Sequence, residues 1–262
     1  MTGKLPAIRM VTFDALHTII TPRYPIHVQY SNVFRPYLGT LEPESIRGSF
    51  KRALQSLQVE RPAYAYGSKK WWAEVIQRTA LGAGADADRL RESLPEIVPQ
   101  LMTLFSTKEG YKPFDDAIPA IRHLHDRHAI ITAIVSNADS RIRSVLEDLK
   151  FPSTMDTIVL SEEQGIEKPE RGIFLRTIDN VNRKIPSGQK PIDPAECLHV
   201  GDELICDYEG ATNAGMQAVL LRRPGPEGGQ AHKEAYESLD GIRVVEGLDD
   251  VIRLVESYNR NS

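Results

Sequence analysis

The sequence predicts an α/β protein, an open parallel sheet with helices on both faces, interrupted after its first strand by an all-helical segment. Three observations predict it. Short apolar runs recur along the chain: IRMVTF (8–13), AIITAIVS (129–136), TIVL (157–160), CLHVG (197–201), QAVLL (217–221) and GIRVV (241–245). Continuous apolar runs of this length suit strands buried on both faces. Helix-like patterns at 115–127, 140–150, 168–181 and 206–215 lie between them, and strands alternating with helices argue for a layered α/β sheet. The third observation is a break in that alternation, because no strand-like run occurs between residues 30 and 107.

Taken in order, the first strand lies in VTFDALHTII (11–20) and ends abruptly at Asp14. Four amphipathic segments follow, 28–38, 43–57, 68–81 and 86–105, and read as an inserted helical bundle. Pro95 and Pro99 are expected to end or kink the last of these helices. Trp71 and Trp72 read as core aromatics of the bundle. TPRYP (21–25) reads as a hinge, its prolines limiting flexibility. NRKIPSGQKPIDP (182–194) reads as a surface loop.

With 262 residues and 41% apolar content, the chain has enough material for one large domain or two modest ones. Charged residues make up 26% and the formal net charge is −4, which leaves no electrostatic footprint for nucleic acid or an anionic membrane. No run of about 18 apolar residues occurs, and the residues before Met10 are too few and too polar for a secretory signal. The expected setting is therefore cytoplasmic, with the nucleus also open. Cys197 and Cys206 show neither metal-ligand spacing nor a disulfide framework and are expected to be reduced and packed.

Ligands of an open parallel sheet bind beyond the carboxyl ends of its strands, so the polar residues that follow the apolar runs matter most. The first strand is followed by Asp14 and Thr18, the second by Ser136 and Asn137, the third by Lys168 in GIEKPE, and the fourth by Asp202 and Asp207 in GDELICD. Each alone has an ordinary reading as a turn or cap residue. Together they make chemical sense. An Asp can accept a phosphoryl group as an acyl phosphate, Asp202 and Asp207 could hold Mg²⁺, and Lys168 would add positive charge. Ser136 or Thr18, with backbone amides, would hold phosphoryl oxygens.

The set VTFDALHT, IVSN, EKPE and GDELICD, in that order, resembles the haloacid dehalogenase (HAD)-like hydrolase superfamily. Within it, the chain is most similar to the domain-containing protein 3 group. The resemblance implies a Rossmann-like core, residues 1–19 and 112–262, with an all-helical C1-type cap at 20–111. It further implies that Asp14 is the nucleophile, Lys168 the lysine of the third motif, and Thr18, Ser136 and Asn137 substrate-binding groups. Asp14, Asp202, Asp207 and the backbone carbonyl of Leu16 would face the metal. The implied ligands are a small phosphorylated substrate and Mg²⁺, and the expected assembly is a monomer or homodimer.

One position departs from the pattern. Phosphatases of the superfamily carry Asp-x-Asp-x-Thr, whose second acid protonates the leaving group and then deprotonates the attacking water; this chain has Leu16 there. A carbonyl can still ligate the metal, but the acid/base is gone. His17 stands next to it, and geometry would decide whether it substitutes. Three readings compete: a Mg²⁺-dependent phosphate hydrolase with altered acid/base catalysis, a 2-haloacid dehalogenase, which also lacks the second acid, and a non-catalytic protein that binds a phosphorylated ligand or a partner. The acidic pair in GDELICD weighs against the dehalogenase. A phosphonatase would need a lysine of the cap, such as Lys51, Lys69 or Lys70, and surface lysines are the simpler reading. Arg23, Arg35 and Arg47 are further candidates to reach the substrate.

Overall fold

A computed structural model describes residues 6–155, 157–225 and 237–260; the remaining positions of the ranges expected above lie outside the described residues. Strands β1 (Met10–Phe13), β4 (Ile131–Ser136), β5 (Thr157–Leu160), β6 (Cys197–Gly201), β7 (Gln217–Leu221) and β8 (Val244–Val245) form one sheet in the order β5-β4-β1-β6-β7-β8. Every neighbouring pair in it is parallel. Its central strands are buried along their whole length, as the apolar runs require. Helices α5 (Ala117–His128), α6 (Arg141–Asp148), α7 (Ser161–Gln164), α8 (Arg171–Asn182), α9 (Gly210–Asn213) and α10 (Leu248–Arg260) connect or follow these strands.

The chain divides into two compact units. The first, residues 1–21, 113–137 and 150–262, contains the sheet. On one side its core joins Met10, Ala133, Val135 and Val159 of the strands to Ile173, Phe174 and Ile178 of α8. The second unit is helical and comprises residues 22–112 and 138–149. Its helices α1 (Ile26–Leu38), α2 (Pro43–Glu60), α3 (Ser68–Gly82) and α4 (Ala87–Leu104) close on Tyr30, Phe34, Ile46, Ile76, Ile97 and Leu101. Two short strands, β2 (Ile20–Pro22) and β3 (Tyr111–Pro113), pair with each other where the chain passes between the units.

Four expectations change. Residues 138–149, expected with the sheet, group with the helical unit. The reason is local: Trp72 Nε1 donates to Asp139 Oδ2 at 2.7 Å, and the Arg141 guanidinium lies over the Trp72 ring at 4.8 Å. Of the two outcomes expected of Pro95 and Pro99, ending or kinking the helix, the first does not occur: α4 runs through both. Both prolines are exposed, so the Arg91 and Pro95 carbonyls they leave without a helical donor can be hydrated. The helix expected from residue 168 starts at Arg171, and the one expected over 206–215 is a π-helical turn, Leu204–Glu209, followed by the short α9. Trp71 is buried as expected, while Trp72 is half-buried. Cys197 is buried and Cys206 half-buried, and both are free thiols. Among the described residues no helix is long and apolar enough to cross a membrane.

Candidate active site

β1 and β6 lie side by side at the middle of the sheet, and their carboxyl ends deliver the acids. Asp14 follows β1 directly, its N–H donating to the Val200 carbonyl at 2.9 Å. Asp202 follows Gly201 at the end of β6. Asp207 returns to the same place because the wide turn Leu204–Glu209 carries its side chain back over the strand end. That path needs the glycine: a Cβ on Gly201 would stand 2.1 Å from Asp207 Cγ. Gly-Asp at the end of β6 is thus a packing requirement as well as a turn.

The three carboxylates come within 4.8 Å of one another and all are buried. Lys168 Nζ lies between two of them, 2.6 Å from Asp14 Oδ1 and 2.6 Å from Asp207 Oδ1. Asn137 fixes the lysine's backbone from the end of β4. Its Nδ2 donates to the Lys168 carbonyl at 2.9 Å, and its Oδ1 accepts the Lys168 N–H at 2.7 Å. Ser136 is buried at the last position of β4. Thr18 Oγ1 donates to Asp202 Oδ1 at 3.4 Å.

The carboxylates differ in what holds them. Asp207 Oδ1 accepts from Lys168 and from His199 Nε2, at 3.1 Å, and its Oδ2 accepts the Glu203 N–H at 2.9 Å. Burial opposes its charge, yet Lys168 and His199 hold its pKa below the usual carboxylate range. Asp202 Oδ2 is buried with no hydrogen-bond partner among the described residues. Burial, with Asp207 and Asp14 adding repulsion, pushes the Asp202 carboxyl well up. Burial likewise raises Asp14 to about 6, against the pull of Lys168. Lys168 itself loses from burial, but Asp14 and Asp207 more than compensate and keep it firmly protonated. A buried cluster of oxygen donors with one orphaned carboxylate oxygen fits a hard divalent cation.

Several supporting residues were not singled out by sequence reading. Thr12 Oγ1 lies 2.7 Å from His199 Nδ1. Asp207 is an acceptor only, so His199 carries its proton on Nε2 and takes the Thr12 hydroxyl at Nδ1. Burial lowers the imidazole's pKa, which keeps it neutral. Arg222 Nη1 donates to the Asp202 carbonyl. Arg223 forks onto Asp116 at 2.8 and 2.9 Å and also donates to the Thr18 carbonyl at 3.0 Å, pinning the loop after β1. The alternation Thr12-x-Asp14 and His199-x-Gly201 on neighbouring strands was the available signal, since it places Thr12 and His199 on one sheet face.

The remaining candidates fall as follows. Leu16 is half-buried and its backbone bridges to Ile20. His17 holds a left-handed backbone, φ 63°. Arg23 Nε donates to the Lys108 carbonyl within the helical unit, Arg47 pairs with exposed Glu44, and Arg35 is exposed.

The profile of the haloacid dehalogenase-like hydrolases matches residues 8–215. The haloacid dehalogenase-like hydrolase domain-containing protein 3 of Bos taurus is 28% identical over 223 residues, 84% of each chain. Among solved structures, a defluorinating L-2-haloacid dehalogenase superposes with a TM-score of 0.71 at 15% identity, over 95% of each chain. A Bacillus subtilis protein described as a HAD-hydrolase and bound to magnesium superposes with a TM-score of 0.64 at 17% identity, over 95% of this chain and 99% of that one. At these identities the superpositions speak for the fold alone.

Proposed function

The chain belongs to the haloacid dehalogenase-like hydrolase family, and from that premise we propose that it is a Mg²⁺-dependent phosphoryl hydrolase that works through an aspartyl phosphate on Asp14, with restricted acid/base catalysis. One observation carries the reading: Asp14 and Lys168 Nζ are 2.6 Å apart beside a second pair of buried acids, one of which keeps an unpartnered oxygen. A metal-free attack on a haloacid needs no such pair, and its charge would repel a carboxylate substrate.

Asp14 and Asp202 would hold Mg²⁺, with the Leu16 carbonyl and Asp207 beside it, and the ion would supply charge neutralisation for the approach of a phosphate dianion. Asp14 attacks phosphorus, its O–P bond forming as the ester P–O bond breaks and the leaving oxygen takes the electron pair. Lys168 offsets charge on the nucleophile and the transferring group. Ser136, Thr18 and Asn137 are the substrate-side groups, Asn137 acting through the backbone of Lys168. Water then attacks the phosphoryl group on Asp14 and regenerates the carboxylate. Leu16 can neither protonate the leaving oxygen nor take the proton from that water, so leaving groups that depart as stable anions are favoured. The helical unit would act as the cap, and a monomer or homodimer is sufficient for this chemistry.

The rival reading is a 2-haloacid dehalogenase, favoured by FDALHT and Leu16. A paired assay separates them: aryl and acyl phosphates with Mg²⁺, against 2-chloropropionate with a chelator. We expect turnover only in the first, an acid-stable, hydroxylamine-sensitive label on the protein, and background turnover in Asp14→Asn. Chloride release without metal would overturn the proposal, as would Asp14→Asn retaining wild-type turnover.

A further inference from the structure

A second group of metal-type ligands stands in the same unit where α5 meets α10, before the start of β4 rather than at the carboxyl ends that carry Asp14 and Asp202. Ala117, Ala120, Ile121 and Leu124 form the buried stripe of α5. Four residues beyond Leu124, the next position on that stripe is His128. An apolar residue would close the stripe; an imidazole stands there instead. Its Nε2 is shut off from solvent and makes no hydrogen bond among the described residues. Facing it is Glu256 of α10, a helix seated through Leu248, Val251 and Val255. Glu256 Oε1 lies 3.3 Å from His128 Nε2 and 3.8 Å from His123 Nε2. The two imidazole rings are 5.3 Å apart, and one ligand atom from each of the three residues falls within 4.8 Å of the others.

We propose that His123, His128 and Glu256 form a second divalent-metal site, selective for Zn²⁺ over Mg²⁺, that clasps the last helix of the described chain to α5. Two imidazole nitrogens and one carboxylate oxygen are a donor set for Zn²⁺, with water completing four-coordination. Mg²⁺ prefers an all-oxygen shell and would stay with the carboxylates of the active site. Tetrahedral Zn²⁺ wants donor atoms roughly 3.4 Å apart; Glu256 Oε1 is already near that spacing from both imidazole nitrogens, at 3.3 and 3.8 Å, and the two imidazoles would have to draw together. Partly exposed His123 has the freedom to do so. The competing explanation is an ion pair of protonated His128 with Glu256, favoured at a helix C-terminus. It accounts for one imidazole; it gives no role to a second imidazole aimed at the same oxygen.

The test uses the full chain, stripped with chelator and returned to buffer containing saturating Mg²⁺, titrated with Zn²⁺ and followed by calorimetry and thermal unfolding. The expected result is one Zn²⁺ per chain, with a raised melting temperature. Asp202→Asn should keep that response. Affinity should fall on the order of 100-fold in His128→Ala and in Glu256→Gln, the latter being a half-exposed, nearly isosteric change that spares the fold. Phosphatase turnover measured with Mg²⁺ alone should match wild type in both variants. Co²⁺ should give a visible ligand-field band in wild type that Glu256→Gln diminishes. Absence of Zn²⁺ binding overturns the proposal, as does equal binding in all three variants or binding abolished by Asp202→Asn alone.

Discussion

Replacing Lys168 with Met removes the one ammonium that, among the described residues, pairs with a buried cluster of three carboxylates. The cluster carries a formal charge of −2 with the lysine, from Asp14, Asp202 and Asp207 against Lys168, and −3 without it. At an effective dielectric constant of about 20, each contact is an attraction of about 6 kcal/mol, at the 2.6 Å separation of Nζ from either oxygen. Desolvation of the lysine cancels much of this, and breaking buried pairs from one side typically costs about 3–5 kcal/mol. For a chain of this size that corresponds to a melting temperature lower by roughly 6–20 °C. Two dependences distinguish electrostatics from simple loss of packing. Mg²⁺ should stabilise Lys168→Met more than wild type, because a divalent cation takes over the missing neutralisation. Acidification should also narrow the gap. Burial already raises Asp14 to about 6, and Lys168 opposes that rise, so its carboxyl moves higher in the variant. A carboxyl raised in the folded state destabilises above its folded pKa, and the penalty disappears as pH falls toward the unfolded value. Unfolding by heat and by urea at pH 7 and pH 5, with chelator or Mg²⁺, makes the comparison. A variant as stable as wild type in chelator, or one that gains less from Mg²⁺, would refute the reasoning.

Gly201→Ala should destabilise by roughly 1–3 kcal/mol from overpacking alone, since its Cβ would meet Asp207, and turnover should fall with it; urea unfolding that matches wild type would contradict this. Asp202→Asn should lose the thermal stabilisation that Mg²⁺ gives wild type, and an unchanged Mg²⁺ response would remove Asp202 from the metal site. Asp139 is held below the usual carboxylate range by Arg141 despite burial, so it stabilises above its unfolded pKa of about 4 and less as pH falls below it. The stability difference between wild type and Asp139→Asn should therefore shrink between pH 6 and pH 3, and a constant difference would be inconsistent. Leu16→Asp should raise turnover of alkyl phosphates by up to about 10²–10⁴-fold and of aryl phosphates little; equal gains on both would mean that position 16 is not the acid/base position.

The parts of the fold legible in the sequence are those where one physical requirement dominates. A strand buried on both faces must be apolar throughout, so ITAIVS and CLHVG declare themselves. Asp14 and Asp202 stand where apolar runs stop, while Asp207 and Lys168 come later, beyond the turns that follow β6 and β5. What stayed hidden depends on distant partners. Arg223 holds the Thr18 carbonyl and Asp116 across 205 and 107 residues, and local sequence carries no trace of that. The grouping of 138–149 with the helical unit rests on Trp72 meeting Asp139 and Arg141 and on Asp148 accepting the Lys108 N–H, contacts between segments far apart in sequence. Likewise β2 and β3 are three residues each, too short to show alternation. In the sequence the π-helical turn reads as part of an ordinary helix over 206–215, and only the return of Asp207 over Gly201 marks the wider turn.

On the proposed mechanism, the backbone of the loop that carries Leu16 accounts for why a leucine in place of an acid would alter chemistry rather than architecture. The Ala15 carbonyl accepts the Ile19 and Ile20 N–H groups at 3.0 Å each, and the His17 N–H donates to the Ile20 carbonyl at 2.7 Å. Arg223 holds the Thr18 carbonyl, and Asp14 is tied to β6 through Val200. Every one of these contacts to the loop uses its backbone, so none depends on the side chain at 16. The left-handed conformation at His17 persists because the surrounding bonds over-determine it. Such a frame holds Asp14 against Lys168 whether position 16 is an acid or a leucine. On the proposed mechanism the roles would separate: Asp14, Lys168, Asp202 and Asp207 would set whether a phosphoryl group can be taken up, while position 16 would set which leaving groups can depart and how long the group stays on Asp14. A chain with the first set intact and the second replaced should transfer phosphoryl groups readily from activated donors and release them slowly, which makes the lifetime of the label on Asp14 the most direct reading of what Leu16 changes.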